Sequence, residues 1–190
     1  MLASDDVTIA IHEALPADDV IERSGDAYLA GFGDAPYFEM PEDRVAFIDR
    51  VKRYAGRDGF RLALASIGDA PVGVGLAVVG RPGDWWRDQV AAQLTDEEVV
   101  RWLGFGVLEL VNLAVGPEHR GRGIGAALHD ALLAGATVPT AALSADTRPT
   151  PARHLYETRG WQVLRAAFSI GKAAPVALMV RDLRTSGSRG

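Results

Sequence analysis

The stretch Arg120-Gly-Arg-Gly-Ile-Gly125 sets glycines and arginines where an apolar strand gives way to an amphipathic helix. That composition suits the holding of an anion. The first N–H groups of a helix lack intrahelical acceptors, and the macrodipole adds about half a positive charge at that end. Gly121, Gly123 and Gly125 let the backbone approach phosphate oxygens and tolerate positive φ. Arg120 and Arg122 add charge in a form fitted to bidentate phosphate contact. The same stretch also reads as a glycine-rich turn with two solvated arginines. Other phosphate motifs fit worse: a Walker loop ends in Gly-Lys-Ser/Thr, whereas Lys52 and Lys172 are the only lysines here. A dinucleotide fingerprint needs G-x-G-x-x-G, and Gly121-x-Gly-x-Gly125 has a different spacing. Upstream, Glu109 shares a strand face with Val111, Leu113 and Val115 by the two-residue period. A carboxylate there is a sensible proton acceptor. The four histidines show no paired spacing on one helix, and with no cysteine no metal site is expected. His119 reads as a loop residue, and His129 and His154 as helix-surface positions.

The chain that must position these groups has 190 residues, 48% of them hydrophobic and 24% charged, which suits one globular domain. A net charge of −5 argues against nucleic acid or an anionic membrane as the main partner. Without cysteine, disulfides, iron–sulfur clusters and thiol nucleophiles are excluded. The start, MLASDDV, shows no signal-peptide pattern, and the run Val72 to Gly80 is shorter than a membrane span of about 20 residues. A cytoplasmic location is the expectation. Val7 to Ile11 reads as a strand, Asp18 to Phe32 as a helix with Val20, Ile21, Ala27 and Tyr28 inward, and Pro41 to Gly56 as a second helix. Phe60 to Ile67 and Val72 to Val79 read as a hairpin across Gly68-Asp-Ala-Pro71. Asp84 to Leu103 is an insert with a helix start at the cap Thr95. Val107 to Val115 is a strand, and a helix follows Arg122. Thr140 to Ala145 is a strand, and a helix runs from Pro151 to Gly160. Trp161 to Ile170 and Val176 to Leu183 close as two strands. The order predicts an α+β sheet, part antiparallel and part parallel. Residues 1–184 are expected to form one domain, with 185–190 as a polar tail.

Arg120-x-x-Gly123-x-Gly125, preceded by Leu113-Ala-Val-Gly-Pro117, resembles the acyl-CoA pyrophosphate loop of the GNAT superfamily of N-acetyltransferases. The family pattern there is Gln/Arg-x-x-Gly-x-Gly/Ala. Downstream, Pro151-Ala-Arg-His-Leu-Tyr-Glu-Thr-Arg-Gly-Trp161 is similar to the family's A-x-x-L-Y-E-x-x-G-F/W segment. The element order over Val7 to Leu183 agrees as well. The resemblance implies a mixed seven-stranded sheet flanked by about four helices. It further implies acetyl-CoA as the cosubstrate and direct attack by a primary amine of a small molecule or peptide.

On that resemblance, main-chain N–H groups from Arg120 through Gly121, Arg122, Gly123, Ile124, Gly125 and Ala126 hold the pyrophosphate. Leu113, Ala114 and Val115 pair with the pantetheine arm, and backbone N–H near Val115 faces the developing oxyanion. Tyr156 matches the family's general acid. Glu109 is the first choice of base, although it lies upstream of the usual place, where Val111 or Asn112 falls. A water chain without a dedicated base is the alternative. Some members carry a glutamate where Ser144 stands, and Asp146 is close by. The asparagine that many members use before the tyrosine helix falls at Pro149, leaving Arg148, Thr150 or Arg153 to replace it. The family's acceptor pocket implies Asp34, Tyr37, Phe38, Glu39, Trp85 and Trp86 as substrate contacts, or as solvated loop residues. A homodimer is an assembly common in the family. Two other readings stay open here: a non-catalytic acyl-CoA sensor of the same fold, and a nucleotide-binding protein using the glycine turn for ATP.

Overall fold

The computed structural model describes residues 7–34, 37–171 and 174–184, so the expected tail at 185–190 lies outside them. Seven strands form one mixed sheet in the order β1-β2-β3-β4-β5-β7-β6. They are β1 Val7–His12, β2 Arg61–Ile67, β3 Ala70–Gly80, β4 Val107–Val115, β5 Thr140–Asp146, β6 Gln162–Phe168 and β7 Val176–Asp182. Six α-helices lie among the described residues: α1 Asp18–Phe32, α2 Pro41–Tyr54, α3 Trp85–Ala91, α4 Asp96–Glu98, α5 Ile124–Leu133 and α6 Pro151–Thr158. The two helices beyond the expected four, α3 and α4, fill the insert. No described helix is long and apolar enough to cross a membrane.

Two compact units share the chain, 7–78 with 112–134 and 79–111 with 135–184, and the division falls within β3 and β4. In the first unit β1, β2 and β3 pair antiparallel. Pairing continues through Ser66↔Pro71 and Ile67↔Ala70, so the turn is the two-residue Gly68-Asp69 rather than four residues. Pro71 cannot donate to the ladder, and the register shifts at Ala65/Ser66. Helix α2 opens on Pro41 with Glu42 and Asp43 in its first turn, where proline and acids suit the N-terminal end. Phe47, Ile48 and Val51 form its buried stripe. Leu128 and Leu132 are the fully buried apolar positions of α5, each worth roughly 1.5–3 kcal/mol of burial. His129 is fully buried too, which corrects its expected surface position; its Nδ1 lies 2.7 Å from Asp130 Oδ1.

In the second unit β5 pairs antiparallel with β7, and β7 with β6. Thr95 caps α4 as its spacing to Glu98 predicts: the hydroxyl accepts from Glu98 N–H at 3.3 Å and Glu98 Oε2 accepts from Thr95 N–H at 2.9 Å. A π-helical turn over Val99–Leu103 follows. The buried Thr140 hydroxyl donates to the Trp102 carbonyl at 2.8 Å, satisfying one acceptor at that turn's end. Val90, Trp102, Leu103, Val107, Phe168 and Leu178 share one buried cluster. Arg165 grips Glu98 with two parallel bonds of 2.9 and 2.6 Å.

Candidate active site

The loop between β4 and α5 has the form of an anion cradle. A 3-10 turn, Pro117–His119, leads into it, and Gly121 (φ +73°) and Gly123 (φ +82°) take left-handed conformations that only glycine adopts cheaply. Gly125 sits inside the first turn of α5 and does not use positive φ, unlike its two neighbours. Gly123 is the N-cap, so no side chain closes this helix end, and no acid stands in the first turn. The amides of Ile124, Gly125 and Ala126 therefore begin α5 without intrahelical acceptors. Space is open beside Gly121 and Gly123. These features fit a bulky anionic group such as a diphosphate.

The two arginines of the loop do different things. Arg120 donates from Nε to the Val115 carbonyl at 3.1 Å and from Nη2 to the Gly31 carbonyl at 2.8 Å. It thus ties the end of β4 to α1 instead of reaching out for phosphate, and its own N–H donates to Pro117. Arg122 stays exposed, its Nη1 3.4 Å from His119 Nδ1. Leu113 and Val115 are half-buried and Ala114 is buried. Helix α1 approaches this strand end so closely that a Cβ on Gly31 would lie 2.6 Å from the Ala114 Cβ. Next along β4, Asn112 Oδ1 accepts from Arg50 Nη1 of α2 at 3.0 Å.

The acceptor candidates of the first unit lie where α1 runs into α2. Tyr37 N–H and Phe38 N–H both donate to the Asp34 carbonyl, and Glu39 N–H donates to the Phe32 carbonyl at 3.0 Å. Tyr37 packs edge-on against Phe32, ring centroids 5.0 Å apart. Phe38 takes φ +52°, a costly conformation for a bulky side chain. Burial first, then a hydrogen bond to Glu39, push the Tyr28 hydroxyl well above its ordinary range. Asp34 is exposed and accepts the two bonds from Tyr37 and Phe38 through its carbonyl.

In the second unit the buried Glu109 stands opposite Ala142, in a parallel β4–β5 ladder recorded over Leu108↔Ala141 and Glu109↔Ala142. Trp86 donates its indole N–H to the Ser144 hydroxyl at 3.1 Å, joining an expected acceptor residue to β5. Trp85 is 65% exposed. Asp146 ends β5 and is gripped by Arg148, whose side-chain and backbone bonds hold its carboxyl down to about 2. A carboxylate held so low is a poor proton acceptor from an amine. Arg153 is likewise engaged, with Glu157 at 3.0 Å and the Thr147 carbonyl at 2.9 Å, while Thr150 caps α6. Tyr156 is buried on α6, its ring 5.9 Å from that of Trp161.

Residues 64–163, more than half of the chain, match the family model for the acetyltransferase (GNAT) domain. The chain belongs to the GNAT acetyltransferase family. A GCN5-like protein acetyltransferase of Mycobacterium tuberculosis is 34% identical to it over 106 residues, 53% of this chain and 49% of that protein. The chain thus spans about half the length of that curated relative. A Corynebacterium glutamicum structure described as histone acetyltransferase HPA2 and related acetyltransferase superposes with a TM-score of 0.63. Its identity is 20%, covering 93% of this chain and 96% of that one. A Pyrococcus horikoshii protein gives 0.61 at 22% identity, covering 92% and 98%. A mosquito arylalkylamine N-acetyltransferase like 5b gives 0.60 at 14%, covering 92% and 100%. At these identities the likeness speaks for the GNAT fold.

Four pairings in these units had no signal in the sequence: Arg50 with Asn112, Trp86 with Ser144, Tyr28 with Glu39, and Arg120 with the Gly31 carbonyl. Each joins residues on different elements. The Asp146–Arg148 and Arg153–Glu157 pairs, by contrast, join residues close in sequence.

Proposed function

We propose that this GNAT member is an acetyl-CoA-dependent N-acetyltransferase that transfers an acetyl group to a primary amine of a small molecule or peptide, by direct attack in a ternary complex. The reading is carried by the uncapped N-terminus of α5 behind the Gly121–Gly123 turn, with no acid in its first turn. Main-chain N–H groups from Gly121 to Ala126 would hold the pyrophosphate, with Arg122 adding charge at the exposed rim. Arg120 acts in this scheme through the loop's shape, by fixing the strand end from which the loop departs. Leu113, Ala114 and Val115 supply backbone groups for the pantetheine arm. Bound there, acetyl-CoA supplies a thioester open to an amine.

An amine of ordinary basicity is protonated near neutrality, so the reaction needs a proton acceptor before attack. Glu109 is assigned that role, directly or through water; its burial and the unsuitability of Asp146 support the choice. A backbone N–H near Val115 is assigned to the carbonyl oxygen, where one such donor is worth about 3 kcal/mol in other enzymes. Tyr156 is assigned to give its hydroxyl proton to the departing thiolate. Residues 1–184 act as one catalytic domain on this reading, in the cytoplasm.

The test is release of free CoA thiol from acetyl-CoA over a panel of amines. Tyr156→Phe should lower kcat by roughly 10²- to 10⁴-fold while CoA affinity stays near that of the wild type. No thiol release by the wild type with any amine removes the enzymatic reading.

A further inference from the structure

Glu39 carries one carboxylate oxygen too few partners. Its Oε2 is buried and has no hydrogen-bond partner among the described residues. The Tyr28 hydroxyl donates to the same carboxylate. A desolvated charged oxygen without a donor is costly, and such a group in a folded protein calls for an explanation. The surroundings favour positive charge. Glu39 sits against the C-terminal end of α1, where the dipole is negative, and that helix has no basic residue in its last turn. The nearby cation is Arg50, which acts on Tyr28 through space but directs Nη1 to Asn112. Asp43, the other acid acting on Tyr28, accepts the Met40 N–H at 2.8 Å.

The chain neighbours of Glu39 are apolar groups turned to water: Tyr37, Phe38 and Met40 are 42%, 66% and 59% exposed. Phe38 holds its left-handed backbone between Tyr37 and Glu39, a strain of the kind that clusters at binding sites. Gly31 brings the same end of α1 onto Ala114, so Glu39 belongs to the helix end that abuts the tip of β4.

We propose that Glu39 Oε2 receives a cationic nitrogen of the acceptor, and that this nitrogen is not the one acetylated. A carboxylate beside an amine stabilises its protonated form, and a protonated amine has no lone pair for attack. The acceptor is therefore a diamine in the broad sense. One nitrogen is held as a cation at Glu39, a second is free to lose its proton, and the methylenes between them cover the apolar rim. This rests on the transferase reading above and narrows its substrate class.

The experiment compares straight-chain diamines with monoamines of equal length, in thiol release and in calorimetric binding to the full chain with CoA present. The wild type should bind a diamine of suitable length about tenfold or more tightly than its monoamine. Glu39→Gln should erase that preference by raising the diamine KM far more than the monoamine KM, with CoA affinity close to the wild type. Its melting temperature should not fall, because the substitution removes an unsatisfied charge; Glu39→Ala is the second variant if the amide disturbs the turn. Equal binding of diamine and monoamine by the wild type, or a preference that survives both substitutions, overturns the inference. Acetyl transfer to monoamines would still stand in that case. A Glu39-dependent diamine preference without transfer to any amine supports the cation site and removes the transferase reading instead.

Discussion

Arg120 holds two carbonyls of different elements with one planar fork, so its worth is geometric as much as electrostatic. Lysine cannot reproduce two directed bonds from one head group. Arg120→Lys and Arg120→Ala should each lower stability by about 1–3 kcal/mol in urea denaturation, with lysine recovering little. Both should also weaken CoA binding in calorimetry, because the end of β4 and the start of the loop lose their tie to α1. At Trp86 the expectation is milder. Trp86→Phe deletes the donor to the Ser144 hydroxyl and should cost about 1 kcal/mol by the same denaturation measurement.

The turn into α5 works only in a narrow backbone conformation. Gly123→Ala keeps open space for the methyl group but forces an L-residue to φ +82°, a strain of about 1–2 kcal/mol. The substitution should reduce CoA affinity severalfold, read by calorimetry, while far-ultraviolet dichroism stays unchanged. That loop was legible in the sequence because its glycines, arginines and following helix are contiguous. The α1 boundaries, Asp18 and Phe32, were legible for a similar reason, an apolar period closed by glycine. The tightness of the Gly68-Asp69 turn was not, since Ala70 and Pro71 look like turn residues until the ladder claims them. Nor was the burial of His129, a polar residue that reads as surface unless its neighbours in space are known. Tyr37, Phe38 and Glu39, proposed here to face the acceptor, stand out in the sequence only by residue type. What escaped was the orphaned Glu39 Oε2, since nothing in the sequence shows that Tyr28, on an earlier turn of α1, meets this carboxylate and still leaves one oxygen without a donor.

Taken as a whole, the protein should be sensitive to acid. Glu98, Asp146 and Asp182 all have carboxyls held down to about 2, in each case first by a side-chain bond from an arginine: Arg165, Arg148 and Arg184. Their ordinary values are 4.5 for the glutamate and 3.8 for the aspartates. A depressed folded value means stabilisation that is present above the ordinary value and lost as pH falls through the folded one. Melting temperature should therefore hold from neutrality down to roughly pH 5 and decline between about 4.5 and 2. Glu98→Gln should lower the plateau slightly and make that decline shallower; calorimetric scans across pH check both.

The placement of β7 between β5 and β6 carries a consequence for synthesis. A nascent chain that has emerged only as far as Gly171 has made β6 but not the neighbour with which it pairs, and β5 has one side open. Two strand edges wait on the ribosome for one late segment to slide in between them. Until it does, they are the parts of the newborn polypeptide most exposed to unwanted pairing with other chains.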